Sequence, residues 1–419
     1  MSKTKYFPST EDIDKAAIVL SEILEPTPFQ KNSYLSDSYK AEIYLKREDL
    51  QMVRSYKIRG AYNKIRSIDN DGLKNGIVCA SAGNHAQGVA FSCSKLKIMG
   101  SIFMPTTTPK QKIEQVRMFG KEYIDIVLTG DTFDAANEAA IEFAKTSGKT
   151  FIPPFDDPKV IEGQGTIGRE ILSQSEEKLD YIFVPIGGGG LASGLGSYIK
   201  KISPETKIIG VEPGGAPCMK TAIEEGRLVE LEHIDKFVDG AAVKKAGALT
   251  YEICREVLDD IVVVPEGAVC TTIIQMYNKS AIVVEPAGAL ATAALRFYAD
   301  KLEGKKVACI VSGSNNDITR MEEIREKSLL FEGLKHYFIV TFPQKSGAIL
   351  SFIRDIVGPT DDLVYIQYIK KTNKNFGPAL VGIELSAKEN FKPLIQRMES
   401  NGLKYEYINE NNQLFEILI

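Results

Sequence analysis

Four consecutive glycines stand where a phosphate group could bind. Gly187, Gly188, Gly189 and Gly190 follow the apolar segment YIFVPI and precede a segment with helical spacing that begins at Leu191. Glycines allow backbone N–H groups to converge without obstruction by Cβ atoms, and a helix N-terminus adds a partial positive charge. Because a simple turn needs fewer glycines, we predict that this loop binds phosphate.

A second glycine motif is not expected to bind a ligand. Residues 163–168 (GQGTIG) match the dinucleotide-binding pattern G-x-G-x-x-G. That pattern requires a hydrophobic strand directly before it, whereas residues 156–162 (DDPKVIE) are typical of a turn followed by a helix. The P-loop motif G-x-x-x-x-G-K-S/T is absent from the sequence. The loop at 187–190 is therefore expected to bind a phosphorylated ligand other than ATP or a nicotinamide cofactor.

Lys57 is the candidate nucleophile. It lies in SYKIRGA just inside a predicted helix start, with Ser55 as the candidate N-cap. The positive end of a helix dipole disfavours the ammonium form of a lysine, and a partly neutral amine is what Schiff-base chemistry requires. Considered by itself, an ordinary solvated lysine is the open alternative.

Two further polar loops follow predicted strands. Ser81, Ala82, Gly83 and Asn84 begin the segment SAGNHAQG, which could offer backbone N–H groups to a carboxylate. Ser312, in VSGSNN after the last strand of the core, could form a hydrogen bond with a ring nitrogen. In isolation, a capped helix start and a polar turn are the alternatives. The sequence contains neither H-E-x-x-H nor G-x-S-x-G, which argues against a zinc peptidase or a serine hydrolase of those types.

An alternation of strands and helices positions these loops. Short apolar segments rich in β-branched residues predict buried parallel strands at 76–80, 98–104, 123–128, 181–186, 207–211, 261–264 and 306–311. Segments with helical spacing lie between them at 84–96, 132–146, 191–202 and 286–302. The pattern predicts an α/β domain with a mainly parallel sheet, in which ligands bind beyond the carboxyl ends of the strands.

The last part of the chain follows a different order. After a charged helix at 319–327, the sequence predicts strands at 335–342, 363–370, 379–385 and 404–408 and helices at 345–357 and 387–399. The resulting order, β-α-β-β-α-β, is that of a ferredoxin-like α+β unit. We therefore predict a boundary near residue 332, with one domain at 1–332 and a second at 333–419.

Composition excludes several other classes of protein. With 51 basic and 55 acidic side chains, the net charge of −4 offers no electrostatic footprint for nucleic acid. Polar residues or glycines interrupt the two long uncharged stretches, 75–94 and 181–199, so neither predicts a membrane span. The six cysteines contain no C-x-x-C pair and are expected to be free thiols in a reducing cytoplasm.

Taken together, the motifs resemble those of one family. The chain contains, in order, KREDLQ, SYKIRGA, SAGNHAQGVA, EGQGTIGREI, GGGGLASG, GVEP, EPAGA and SGSNN. Over roughly residues 10–330 this set resembles the pyridoxal-phosphate enzymes of the tryptophan-synthase-β fold type, and within them threonine dehydratase. The resemblance implies a fold of type II with two subdomains and mainly parallel sheets, the smaller subdomain (about 52–151) being inserted in the larger one.

The resemblance also implies a role for each motif. Lys57 matches the lysine that binds pyridoxal 5'-phosphate covalently and acts as general base. Asn84 matches the asparagine that meets the cofactor's ring hydroxyl, and Ser312 matches the serine that meets its pyridine nitrogen. The segment Gly187–Leu191 matches the phosphate loop, and Ser81–Asn84 matches the loop that holds the substrate carboxylate. The implied reaction converts L-threonine into 2-oxobutanoate and ammonia, the first step of isoleucine biosynthesis.

Two positions depart from relatives of this fold. Ala82 stands where serine racemases carry a second catalytic serine, which argues against racemisation. Glu212, Pro213 and Ala216 match a cation-binding segment of some relatives, but Cys218 replaces its aspartate. We therefore expect no metal site.

The C-terminal segment FGPALVGIEL resembles the single ACT-like regulatory domain of short biosynthetic threonine dehydratases. This resemblance implies branched-chain amino acids as effectors, and enzymes of this type are usually homotetramers. Two alternatives stay open. One is a serine dehydratase or cysteine-synthase-like β-replacement enzyme of the same fold, and the other is an amino-acid sensor without catalytic activity.

Overall fold

The computed structural model of the protein describes residues 6–369, 375–411 and 414–415. The chain divides between Ile318 and Thr319 into two compact units. The charged helix after residue 320 therefore belongs to the second unit, whereas the sequence analysis placed it in the first. The outermost residues of the two predicted domains, 1–5 and 416–419, lie outside the described residues.

The elements of the described residues follow in chain order. The helices are α1 Thr10–Leu20, α2 Ser33–Tyr39, α3 Lys57–Arg66, α4 Asn70–Leu73, α5 Asn84–Leu96, α6 Lys110–Gly120, α7 Phe133–Ser147, α8 Pro158–Gln174, α9 Gly190–Ile202, α10 Cys218–Glu225, α11 Ala248–Val257, α12 Glu266–Ser280, α13 Pro286–Ala293, α14 Met321–Phe331, α15 Ala348–Asp355 and α16 Phe391–Ser400. The strands are β1 Phe29–Lys31, β2 Glu42–Arg47, β3 Ile77–Ala80, β4 Gly100–Met104, β5 Ile124–Leu128, β6 Thr150–Phe151, β7 Tyr181–Pro185, β8 Lys207–Pro213, β9 Asp260–Val264, β10 Lys306–Val311, β11 Lys335–Pro343, β12 Asp362–Tyr368, β13 Phe376–Glu384 and β14 Lys404–Tyr407.

The elements predicted from apolar patterning are present, with ends shifted by a few residues. Two expectations need correction. The helix predicted at 286–302 is α-helical only as far as Ala293 and continues as 3-10 turns. Patterning missed β1, β2 and β6, which are short or carry charged residues. The predicted strand end at Lys370 lies outside the described residues.

Six strands of the first unit form a sheet in the order β1-β2-β10-β7-β8-β9. Apart from the antiparallel pair β1–β2, neighbouring strands are parallel. Strands β7 and β10 are buried along almost their whole length, which explains their continuous apolar sequences. Because they are parallel neighbours, the loops that follow them, beginning at Ile186 and Ser312, emerge at the same edge of the sheet.

A second, four-stranded parallel sheet has the order β5-β4-β3-β6 and lies at 77–151 in the sequence. Its core includes Ile77, Cys79 and Ile102 from the strands and Val89 from α5. The strands of the larger sheet come from before and after this segment. This arrangement is that of a smaller subdomain inserted in a larger one, and the limits 52 and 151 stay a prediction.

The glycine motif at 163–168 lies inside α8, where it serves packing between helices. A Cβ atom at Gly163 would lie 2.7 Å from the carbonyl oxygen of Arg59 in α3, and one at Gly165 would lie 3.0 Å from that of Gly194 in α9. The glycines therefore let three helices approach closely. The motif forms no strand-to-helix loop, as the sequence analysis expected.

The second unit has the predicted β-α-β-β-α-β order. Its antiparallel sheet has the strand order β12-β13-β11-β14. Phe338, Val340 and Phe342 alternate along β11 and share a core with Leu394 and Met398 of α16. This is the expected ferredoxin-like α+β unit. Among the described residues of both units, no helix is at once long enough and apolar enough to cross a bilayer.

A buried ionic network fixes the start of α3. The Arg59 guanidinium donates to both carboxylate oxygens of Glu48, at 2.8 and 2.7 Å, and to both of Glu170, at 2.6 and 2.9 Å. Lys46 Nζ donates to the same Glu170 at 2.6 Å. Burial by itself would raise the pKa of Glu170, but Arg59 and Lys46 bring it below its ordinary value. The network thus balances two cations against two carboxylates.

We predict that Arg59→Met destabilises the protein by about 3–5 kcal/mol, because it leaves the buried Glu48 without its cationic partner. Thermal unfolding followed by circular dichroism should show a much lower midpoint. The matched control is Arg66→Met in the same helix, whose exposed pair with Glu22 is worth about 0–1 kcal/mol. Equal midpoints for the two variants would contradict the prediction.

Candidate active site

Lys57 is the first residue of α3 and its amine is half-buried. Its Nζ donates to the carbonyl oxygen of Pro154 at 3.0 Å. Burial lowers the pKa of Lys57 from 10.5 to about 8, although the carboxylate of Glu285 acts in the opposite direction. The neutral amine predicted from the sequence is therefore accessible, and burial contributes to it alongside the helix dipole.

The N-cap predicted for this helix is wrong. Tyr56 occupies that position, and Ser55 Oγ is buried without a hydrogen-bond partner among the described residues. Ser55 instead forms a β-bridge with Gly313, and Tyr56 N–H donates to the carbonyl oxygen of Ser312 at 3.2 Å. The first turn of α3 is thus tied to the loop after β10 by backbone hydrogen bonds.

A close approach between two helices brings Asn84 near Lys57. A Cβ atom at Gly88 in α5 would lie 3.1 Å from the backbone nitrogen of Ile58. Glycine at this position lets the first turn of α5, which begins at Asn84, pass against the first turn of α3. Two helix starts therefore meet at one place.

The four glycines form a cradle that side chains would fill. A Cβ atom at Gly188 would lie 2.3 Å from the ring of Phe155, and one at Gly187 would lie 3.0 Å from Cα of Ala241. Gly189 has φ +92° and is the N-cap of α9, without a side-chain cap. The first N–H groups of α9 therefore lack an intrahelical acceptor. This geometry suits a phosphate group, in agreement with the sequence prediction.

The cradle and Lys57 are linked through one short segment. Pro154, which accepts the hydrogen bond of Lys57, directly precedes Phe155, which packs against Gly188 and Gly190. The amine and the cradle therefore lie on two sides of the same turn.

Asn84 is held by two residues that the sequence analysis did not select. Its Nδ2 donates to Glu285 Oε1 at 2.6 Å, and its Oδ1 accepts from Asn315 Nδ2 at 2.7 Å. Asn315 Nδ2 also donates to the carbonyl oxygen of Val53 at 2.9 Å. Glu285 lies in the motif EPAGA and Asn315 in SGSNN. The motifs were therefore visible in the sequence, but the contacts come from distant parts of the chain.

Ser312 and the loop at 81–83 lie at the same edge. Ser312 is buried at the end of β10, and its Oγ donates to the carbonyl oxygen of Ala287 at 3.1 Å. Gly83 N–H donates to Ser81 Oγ at 3.2 Å, and a Cβ atom at Gly83 would meet nothing within 4 Å. The backbone of the loop therefore borders open space, with room for a ligand. Ala82 in this loop is partly buried.

Glu212 has a structural role in place of metal ligation. Its carboxylate accepts from the backbone N–H groups of Met219 and Lys220, both at 2.8 Å, at the start of α10. Burial raises the pKa of Glu212 to about 7. In the described residues, no group of three or more His, Cys, Asp or Glu side chains is arranged to bind a metal ion. Cys218 and the other five cysteines are buried free thiols.

These residues fit pyridoxal phosphate. The glycine cradle suits its phosphate, the half-buried amine of Lys57 suits its aldehyde, and Asn84 and Ser312 carry polar atoms suited to its ring substituents. The sites predicted from the sequence thus meet at one edge of the sheets. Which atom each residue contacts stays a prediction.

Comparisons with known proteins agree with this assignment. Residues 20–313 match the family of pyridoxal-phosphate dependent enzymes, and residues 326–418 match the C-terminal regulatory domain of threonine dehydratase. The chain is 56% identical over 409 residues to the L-threonine dehydratase biosynthetic IlvA of Halalkalibacterium halodurans, covering 98% of this chain and 99% of that protein. The protein of the same name from Bacillus subtilis is 54% identical over 405 residues, covering 97% and 96%. The structure of the processed form of threonine deaminase isoform 2 from Solanum lycopersicum is similar with a TM-score of 0.72 and 38% identity, covering 78% of this chain and 96% of that one.

We predict that Gly189→Asp weakens the affinity of the apo-protein for pyridoxal phosphate by about a hundredfold or more, because a carboxylate would face the phosphate. The matched control is Gly226→Asp. Gly226 also has positive φ, at +69°, but a Cβ atom there meets nothing within 4 Å. Titrations followed by visible absorbance should separate the two variants, and equal affinities would refute the prediction.

We also predict that the rate at which the apo-protein takes up pyridoxal phosphate rises with pH through about 8. The neutral amine is the nucleophile, and the lowered pKa of Lys57 makes this form available below the usual range of lysine. Stopped-flow absorbance over a pH series measures the rate. An inflection near 10.5, the ordinary lysine value, would contradict the assignment.

Proposed function

We propose that this chain, which belongs to the pyridoxal-phosphate-dependent enzymes and within them to the threonine dehydratases, converts L-threonine into 2-oxobutanoate and ammonia. The observation that carries the proposal is the convergence of Lys57, the glycine cradle and Asn84 at one edge of the two sheets. The water lost in the elimination is regained when the released enamine hydrolyses, so the net change is loss of ammonia. The reaction is the first step of isoleucine biosynthesis.

Pyridoxal phosphate, when bound, supplies an electron-withdrawing ring that accepts the electron pair left on Cα when an amino acid loses its α-proton. Lys57 Nζ takes that proton as general base. Because burial lowers the pKa of Lys57 to about 8, the amine spends an appreciable fraction of its time neutral near that pH. Glu48 and Glu170, bound by Arg59 one half-turn along the same helix, keep this amine in place.

The other residues of the site hold the reactants in position. The N–H groups at the start of α9 bind the phosphate. Ser312 offers a neutral hydroxyl to the ring nitrogen, so no formal charge is placed opposite that atom. The loop Ser81–Asn84 binds the carboxylate of threonine. Ala82 carries no group able to exchange a proton on the second face of Cα, which favours elimination over racemisation.

The second unit and the assembly complete the proposal. The β-α-β-β-α-β unit, which matches the regulatory domain of threonine dehydratase, binds a branched-chain amino acid. The chain assembles as a homotetramer, and it works in the cytoplasm, where six buried free thiols remain reduced.

We predict that Lys57→Ala abolishes 2-oxobutanoate release from threonine and the visible absorbance of covalently held cofactor, because the nucleophile and base are removed together. Lys64→Ala in the same helix is the matched control. Lys64 pairs with Asp157 at 2.7 Å, outside the site. Near wild-type turnover by Lys57→Ala would refute the role of this residue. Turnover of serine but not threonine by the unaltered protein would refute the substrate.

We predict that a chain ending at Ile318 keeps threonine turnover and loses its response to L-isoleucine, because the residues of the site lie before the division between the units. In the full chain, a coupling of about 1–3 kcal/mol would shift the apparent affinity for threonine roughly 5- to 150-fold. Keto-acid assays with and without isoleucine measure this shift, and sedimentation checks that the shortened chain is folded and assembled. A shortened chain that still responds would place the effector site elsewhere.

A further inference from the structure

The amide group of Asn84 has a defined orientation in this structure. A carboxylate can only accept hydrogen bonds, so the atom of Asn84 that faces Glu285 must be the nitrogen. On the other side, Asn315 Nδ2 can only donate, so the atom that it faces must be the oxygen. The two neighbours therefore agree on one orientation. With one of its two N–H bonds used by Glu285, Asn84 Nδ2 has a second hydrogen to offer.

The two neighbours are themselves fixed by their surroundings. Glu285 is 5% exposed, and its carboxylate also accepts from the backbone N–H of Asn315. A Cβ atom at Gly313 would lie 2.5 Å from Glu285 Oε1, so the carboxylate is closely enclosed. Asn315 Nδ2 is anchored at the carbonyl oxygen of Val53, four residues before Lys57. We name Glu285 and Asn315 the amide clamp.

We propose that the amide clamp is a pair of positioning residues, which present Asn84 to the cofactor ring as a hydrogen-bond donor. This proposal rests on the proposed function. An asparagine that is free to rotate would present its oxygen part of the time, and the oxygen cannot donate to a ring oxygen. The clamp removes that second state before any ligand arrives, so no ordering of Asn84 is required on binding.

Asn315→Asp is the first test. The introduced carboxylate directs an acceptor toward Asn84 Oδ1 and toward the carbonyl oxygen of Val53, so the amide of Asn84 should turn over. We expect the absorbance maximum of the bound cofactor to shift, and kcat for threonine to fall by about tenfold to a hundredfold. The matched control is Asn63→Asp. Asn63 is a buried asparagine whose Nδ2 donates to the carbonyl oxygen of Lys159 at 2.7 Å, outside the site, and this variant should leave the absorbance maximum unchanged.

The double variant Glu285→Gln with Asn315→Asp separates orientation from stability. In it, the introduced glutamine amide can donate to the oxygen of the turned Asn84 amide, and the introduced aspartate carboxylate can accept from its nitrogen. Both hydrogen bonds between the clamp and Asn84 are therefore restored in reverse. We expect the thermal midpoint to recover toward the wild-type value while the absorbance shift and the low kcat persist. A purely structural role would restore all three together.

Two results would overturn the proposal. One is recovery of the wild-type absorbance maximum and kcat in the double variant. The other is an unchanged absorbance maximum in Asn315→Asp. Both absorbance readings are made on the holoenzyme without threonine, so they remain decisive if the unaltered protein proves to act on another amino acid. A holoenzyme that fails to turn over threonine would count against the proposed substrate and not against the clamp.

Discussion

The buried pairing of Arg59 with Glu48 and Glu170 is the interaction on which the catalytic unit most depends. Charged groups in the interior are costly unless their partners satisfy them, and here each guanidinium edge faces a carboxylate. Arg59 lies two residues after Lys57, Glu48 follows β2, and Glu170 lies in α8. One side chain thus fixes the helix that carries the reactive amine against both the sheet and a neighbouring helix.

Close packing at glycines does for the backbone what this network does for the charges. Gly163 and Gly88 let α8 and α5 approach α3 to distances at which a Cβ atom would collide. Cores are dense and transmit displacements, so a shift of either helix would move the first turn of α3. The position of Lys57 therefore depends on residues that carry no reactive group. The same approach brings Asn84 within reach of Glu285 and Asn315.

Much of this could be predicted from the sequence, because the signals are local. A continuous apolar segment followed by glycines specifies strand, loop and helix, and Gly187–Gly190 lies where that pattern placed it. Ser55 was wrongly assigned as a cap because its bridge to Gly313 joins segments more than 250 residues apart. Glu285 and Asn315 were missed for the same reason. A carboxylate in EPAGA acquires a role only when the fold places Asn84 against it.

Burial also determines which charges the site can contain. It lowers the pKa of Lys57 to about 8 and that of His85 to about 3, and it raises that of Glu285 to about 7. In all three groups desolvation favours the neutral form. A phosphate bound here is therefore met chiefly by backbone N–H groups at the start of α9, whose partial charge does not titrate. Anchoring the anion through the backbone leaves the amine of Lys57 free to change protonation state, which is the property that a general base requires.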